Sequence, residues 1–390
     1  MWEFTAPRTI VFGEDALEYL KEVEGKRALI VTDKVIKKLG FVDRVAKYLK
    51  EAGIKVEVFD EVEPEPSIET IINGAELARK YGPDWFVGLG GGSCMDAAKA
   101  IWVLYERPDM EVGEINPLEK LGLRKKARLI CIPTTSGTGA EATWAVVITD
   151  AKEERKMELG SKENVADIAI LDPELPKSMP PKLAADTGLD ALTQAIEAYT
   201  NQCKNDFSDA VAIKAIQIIF KHLPRAYKNS EDKEAKEKMH NAATMAGLAF
   251  VNSAPCPGVA HSMGHSFGAI FHIPHGRAVI VFLPCVIQYS AREAMERYAE
   301  IARAVDIEAE TDEEAVDKLV EAVKRLMEEV GEPSTIMDMG INWEDYTKNL
   351  DGLVDRAENS SCTFMNPRVP DGEELRKLFI YAFEGKKVDF

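Results

Sequence analysis

No stretch of this chain stays apolar long enough to span a bilayer, so a helical membrane anchor is not expected. The opening Met1-Trp2-Glu3-Phe4 lacks the basic-then-apolar layout of a secretory leader. Cysteine pairs at CxxC spacing are also missing. Cys94, Cys131, Cys203, Cys256, Cys285 and Cys362 stand apart, which argues against a disulfide framework or a thiolate metal site and favours a reduced, cytoplasmic protein. Positive charge is in deficit: the net charge of −18 argues against a nucleic-acid partner, and runs such as Arg124-Lys125-Lys126 are too short to offset it. Glutamine is scarce, at Gln194, Gln202, Gln217 and Gln288 only, while Lys and Glu dominate the charge. That usage is compatible with a heat-adapted source.

What remains is ordinary globular material, 46% hydrophobic and 29% charged, in 390 residues. One hydrophobic core rarely serves that length, so two domains are expected. Short apolar runs alternate with helical patterns through the first part. Strands are predicted at Ala28–Val31, Lys55–Phe59, Trp85–Val87, Leu129–Ile132, Ala145–Thr149 and Ile168–Leu171. Helices are predicted near Val35–Glu51, over Ile68–Tyr81 and from about Ser93. Non-alternating apolar strands separated by helices predict an α/β fold with a parallel, Rossmann-like sheet. The connector Asp172-Pro173-Glu174-Leu175-Pro176, with Pro180-Pro181, then changes the character of the chain. Beyond it the pattern is helix after helix: Leu183–Tyr199, Ser208–Tyr227, Asp232–Phe250, Arg292–Val305, Glu313–Val330 and Glu373–Phe383. The expected division is therefore a dinucleotide-binding α/β domain over 1–180 and an all-helical metal and substrate domain over 181–390.

Two segments of the first part suit a phosphate ligand. Gly88-Leu89-Gly90-Gly91-Gly92-Ser93 follows a predicted strand and opens a predicted helix. Residues without side chains let backbone N–H groups approach a pyrophosphate, and the helix N-terminus adds partial positive charge. A glycine cluster alone is equally a tight turn. The second segment, Pro133-Thr134-Thr135-Ser136-Gly137-Thr138-Gly139-Ala140-Glu141, also follows a predicted strand and is crowded with hydroxyls. Alone it reads equally as a Ser/Thr turn. Together the two favour a nucleotide crevice. Asp33 closes the first strand, where a carboxylate accepts hydrogen bonds from a ribose and repels a 2′-phosphate, which leans towards NAD over NADP. The same Asp33 also reads as the N-cap of the next helix.

The second part concentrates metal-binding residue types. Asp190 and Gln194 are four apart on one helix face. His261 and His265 repeat that spacing, and His272 and His275 follow, so four of the six histidines fall in one short stretch. Packing does not explain such clustering. Imidazoles with one carboxylate suit a divalent transition metal, with an open position for catalysis.

By these motifs the chain resembles the iron-containing alcohol dehydrogenases over nearly its whole length. The resemblance is carried by Phe4–Gly13, by Gly90-Gly91-Gly92-Ser93 with Asp96 and Lys99, and by Thr134-Thr135-Ser136-Gly137-Thr138. It continues through Asp186–Tyr199, His261-Ser262-Met263-Gly264-His265, His272–Gly276, and Cys362-Thr363 with Asn366-Pro367-Arg368. The resemblance implies metal ligands at Asp190, His261 and His275, with His265 beside substrate and nicotinamide. It implies cofactor contacts at Asp33, Gly91, Gly92, Ser93 and Asp96, and at Thr134, Thr135, Thr138, Thr143 and Lys156. Phe250 and Cys362 are expected in the substrate pocket. Two positions depart from the family pattern. The usual Asn-Pro before the second helix is Glu65-Pro66, and the fourth ligand, usually histidine, is Gln194.

The activity implied is interconversion of a primary alcohol or diol with its aldehyde or ketone, by hydride transfer with NAD or NADP. The implied metal is Fe2+, with Zn2+ as the alternative. The implied partners are a small-molecule alcohol or aldehyde and a second copy of the chain in a homodimer or higher homo-oligomer. Two rivals stand beside it: a zinc-dependent glycerol or polyol dehydrogenase, and a nucleotide-binding protein that has lost catalysis, with Gln194 as the scar.

Overall fold

Strands that are apolar on both faces need cover on both faces, and the first half of the chain supplies it. The computed structural model describes residues 3–150, 155–254 and 256–390; Met1 and Trp2, part of the leader reading, lie outside the described residues. The chain forms two compact units, Met1–Met179 and Pro180–Phe390.

The first unit runs β1 (Thr9–Phe12), β2 (Arg27–Val31), α1 (Lys34–Lys38), α2 (Phe41–Glu51), β3 (Lys55–Phe59) and α3 (Ile68–Tyr81). It continues with β4 (Trp85–Gly90), α4 (Gly92–Glu106), β5 (Arg128–Pro133), β6 (Ala145–Asp150), β7 (Arg155–Gly160) and β8 (Ile168–Leu171). Six strands make a parallel sheet in the order β1-β8-β5-β4-β2-β3. Every residue of β4 and β8 is buried, as a sheet covered on both sides requires. The register pairs Gly90 with Pro133, so the carboxyl ends of β4 and β5 finish level with each other. The loops that leave those two ends therefore start side by side.

Two local expectations are corrected. The single helix near Val35–Glu51 is two, because Gly40 takes a left-handed φ of +82° and N-caps α2. The strand at Ala145–Thr149 exists, but it pairs antiparallel with β7 in a separate hairpin. Its Val146 and Ile148 are buried while Val147 is exposed, the alternation of a one-faced strand, which an apolar run so short conceals.

The second unit is helical: α5 (Pro181–Thr200), α6 (Asp206–Lys228), α7 (Lys233–Ser253), α8 (Val259–Phe271) and α9 (His275–Ile280). Then follow α10 (Leu283–Ala304), α11 (Asp312–Glu329), α12 (Trp343–Lys348), α13 (Leu350–Glu358) and α14 (Gly372–Glu384). Pro181 stands at the first position of α5, where a missing N–H costs nothing. From Gly188 to Thr200 every residue of α5 is buried, and α6, α7 and α9 pack around it. A helix buried all round is where an uncompensated polar residue needs a reason. Helix α10 starts nine residues before the expected Arg292, because Leu283–Tyr289 is mostly buried and lacks an amphipathic period; its backbone breaks at Ala294. The fold class expected from the sequence is the one observed. Among the described residues no helix is long and apolar enough to cross a membrane.

Candidate functional site

In the first unit the glycine and threonine segments meet. The amide of Thr134 donates to the carbonyl of Gly90 at 2.9 Å. A Cβ placed on Gly91 would sit 3.6 Å from Thr135 Oγ1, and one on Gly92 would sit 3.1 Å from Thr138 Cγ2. The threonine loop thus lies in contact with the glycine backbone, most tightly at Gly92. Gly91 caps α4 without any side-chain hydrogen bond, so the first amides of that helix are left for a ligand. Gly90, at φ +148°, would press a side chain into Cys94 Sγ. These features fit the phosphates of a dinucleotide.

The other expected cofactor residues fall into two groups. Ser93, Thr135, Thr138, Lys156 and Asp33 are partly exposed around the cradle. Asp33 does act as a helix cap: its Oδ1 accepts from the amides of Val35 at 2.7 Å and Ile36 at 2.8 Å. Its Oδ2 accepts a bond from the Cys94 thiol at 3.3 Å, and burial together with this carboxylate pushes that thiol far above its usual range. Thr143 and Asp96 serve the protein more directly. The fully buried Lys99 donates to Thr143 Oγ1 at 3.3 Å and to the Ala145 carbonyl at 2.9 Å, and pairs with Asp96 Oδ1 at 3.4 Å. Asp96 Oδ2 accepts from the Val147 amide at 3.0 Å. Burial raises the Asp96 carboxyl despite the lysine.

In the second unit three candidate ligands converge. Asp190 on α5, His261 on α8 and His275 at the start of α9 place one donor atom each within 4.8 Å of the others. Asp190 Oδ1 is 3.5 Å from His261 Nε2 and 3.4 Å from His275 Nε2. A tetrahedral ion bound at about 2.1 Å would have donor atoms about 3.4 Å apart. Asp190 Oδ1, His261 Nε2 and Gln194 Oε1 are all buried without a hydrogen-bond partner. Such atoms are costly unless a ligand satisfies them, so the residues fit a divalent ion. His275 leaves 38% of its side chain exposed, which opens one side of the cluster. The Gln194 amide nitrogen donates to Asp190 Oδ2 at 3.1 Å, and its carbonyl oxygen is the end left without a partner.

Glu197 is the residue sequence reasoning missed. Its Oε2 lies 2.5 Å from His261 Nδ1, and its Oε1 accepts from the Ala260 amide at 2.7 Å. Its signal was the spacing Asp190, Gln194, Glu197, which is one face of one helix. Burial works against charge on both partners of this cluster. Even so, His275 and His261 hold the Asp190 carboxyl well below its usual range, while Glu197 and Asp190 raise His261 to about 10.

Gly276 explains how His275 reaches Asp190. A Cβ there would fall 2.0 Å from the Asp186 carbonyl oxygen, so only glycine lets α9 press onto α5. Arg277 fixes the approach by a two-pronged bond to the buried Glu332, at 2.5 Å on each prong, and lies 3.4 Å from Asp186. His265 completes the group: its ring is stacked 5.2 Å from His275 and lies 5.8 Å from His261. Phe250 is in the last turn of α7, and Cys362 is buried just before a short 3₁₀ turn, Thr363–Met365. Thr363 Oγ1 bonds Ser262 Oγ at 2.8 Å, which docks this closing segment beside His261.

The pattern of the iron-containing alcohol dehydrogenases matches residues 7–173, and that of the C-terminal part of the same family matches residues 184–383. The chain is 45% identical to an NADPH-dependent butanol dehydrogenase of Clostridium saccharobutylicum, over the full length of both. It is 39% identical to the bifunctional aldehyde-alcohol dehydrogenase of Escherichia coli, covering 97% of this chain and 46% of that protein. Among solved structures, the iron-containing alcohol dehydrogenase of Thermococcus thioreducens superposes with a TM-score of 0.89 at 36% identity, covering 99% of this chain and 100% of that one. These relatives lend no support to the glycerol-dehydrogenase rival or to the inactive nucleotide binder. The chain belongs to the iron-containing alcohol dehydrogenase family and is an enzyme of that type.

Proposed function

We propose that the enzyme interconverts a primary alcohol or diol with its aldehyde or ketone, using NAD in preference to NADP and an Fe2+ ion, with Zn2+ as the alternative. The observation that carries this reading is the convergence of Asp190, His261 and His275 around unpartnered buried atoms. A divalent ion there would supply Lewis acidity to the substrate oxygen, and the nicotinamide would take up or return the hydride. Asp190, His261 and His275 would hold the ion, and Gln194 would add its carbonyl oxygen as a weaker fourth donor than the usual imidazole. Glu197 keeps the Nδ1 proton of His261 in place, so Nε2 presents a lone pair. His265 moves the proton between the alcohol oxygen and solvent, and Phe250 and Cys362 wall the pocket.

In the α/β unit the first amides of α4 bind the pyrophosphate. Gly91, Gly92, Ser93, Thr134, Thr135, Thr138 and Lys156 contact the cofactor, while Lys99 fixes Asp96 and Thr143 beneath it. The Asp33 carboxylate, held in place by its cap bonds, disfavours a 2′-phosphate. The NADPH dependence in the name of the butanol dehydrogenase relative pulls the other way, so cofactor choice is the sharpest point of this reading. The six scattered cysteines, none of them in a disulfide, support a cytoplasmic setting, and a homodimer follows the family expectation. The test is cofactor reduction across a panel of primary alcohols and diols, with NAD and NADP, alongside metal analysis of the purified protein. Turnover of alcohols with NAD by a metal-bearing protein supports the reading, and a metal-bearing protein that turns over none of the panel overturns it.

A further inference from the structure

Glu65 has a left-handed backbone, φ +58°, a conformation that asparagine adopts several times more readily than glutamate. Its neighbours hold it there. The Glu63 carboxylate accepts from the Ser67 amide at 2.8 Å and from the Thr70 hydroxyl, and the Thr149 amide donates to the Pro66 carbonyl at 2.8 Å. The Glu65 amide itself donates to Ser93 Oγ at 3.3 Å, at the first turn of α4. Its side chain, 59% exposed, pairs with Lys156 Nζ at 2.6 Å. The hairpin sets this partner: Lys156 stands opposite Thr149, and Thr149 is the residue stitched to Pro66. One residue thus touches the phosphate cradle through its amide and holds a candidate cofactor cation through its carboxylate.

We propose that Glu65 sets the affinity for the nicotinamide cofactor by competing with it for Lys156. The proposal rests on the reading of Lys156 as a cofactor contact. In the free enzyme the ammonium is engaged by Glu65, and an anionic or hydroxyl-bearing ligand at the cradle must share it or draw it away. An exposed ion pair is weak, so the expected penalty is about threefold to fivefold in cofactor dissociation constant, and salt should shrink it.

The experiment measures NAD binding by calorimetry, without substrate, for the unmodified enzyme, Glu65→Asn, Lys156→Met and the double variant. Expected are tighter binding in Glu65→Asn by about threefold to fivefold, weaker binding in Lys156→Met, and no effect of Glu65→Asn in the Lys156→Met background. Melting temperatures separate this from strain relief, which would raise stability equally in both backgrounds. If Lys156→Met weakens binding but Glu65→Asn does not tighten it, or tightens it equally without Lys156, the competition is overturned and the cofactor role of Lys156 stands. If Lys156→Met binds NAD as tightly as the unmodified enzyme, the cofactor reading of Lys156 is overturned, and the competition with it.

Discussion

His261 Nδ1 lies 2.5 Å from Glu197 Oε2, and this bond decides which ring nitrogen faces Asp190. A carboxylate that accepts the Nδ1 proton fixes the ring orientation and makes Nε2 a better donor to a metal. Glu197 stands on the same helix as Asp190, so one buried face of α5 supplies a ligand and also orients a second one.

Glu197→Ala is therefore expected to weaken metal affinity by about tenfold to a hundredfold, with Glu197→Gln intermediate because it retains a hydrogen-bonding oxygen. Competition against a chelator at fixed pH gives the number. Equal affinity in all three proteins would show that Glu197 only fills space.

Gln194 is the position where this chain departs from its family's usual histidine. Its carbonyl oxygen is buried and unpartnered while its amide nitrogen is tied to Asp190. Replacement by histidine should tighten metal binding, since imidazole is the better donor to iron or zinc, and replacement by alanine should weaken it. Affinity unchanged in both variants would reduce the site to Asp190, His261 and His275.

The fold class was legible because the buried strands carry uninterrupted apolar runs such as Leu29-Ile30-Val31. The hairpin was not, since five residues of Ala145–Thr149 do not reveal which partner their exposed face will find. Helix α9, six residues long, was also hidden, because one and a half turns show no period. At the site, residue type and spacing exposed Asp190, Gln194 and the histidines. Gly276 stood in the motif, but its packing role, like that of Glu332, was invisible in advance: a close backbone approach and a long-range ion pair exist only once the chain is folded. Asp33 was legible in both its readings, and the structure shows that the cap is made.

Because glycine at a cap position costs only a few tenths of a kcal/mol, Asp33→Gly should fold normally. Its preference should move towards NADP by about tenfold or more in kcat/KM ratio, an effect of about 1.4 kcal/mol or greater. Steady-state kinetics with both cofactors at one alcohol concentration decide it. A ratio that does not move would confine Asp33 to its capping bonds.

The central claim is that metal chemistry and dinucleotide binding use separate sets of residues, Asp190, His261 and His275 in one unit and the α4 cradle in the other. The most direct test measures NAD binding and alcohol turnover on the same preparation before and after exhaustive chelation, with metal content determined each time. The account predicts that turnover disappears with the metal, that NAD affinity stays within about twofold, and that added Fe2+ or Zn2+ restores activity. Full turnover from a demonstrably metal-free preparation would contradict it.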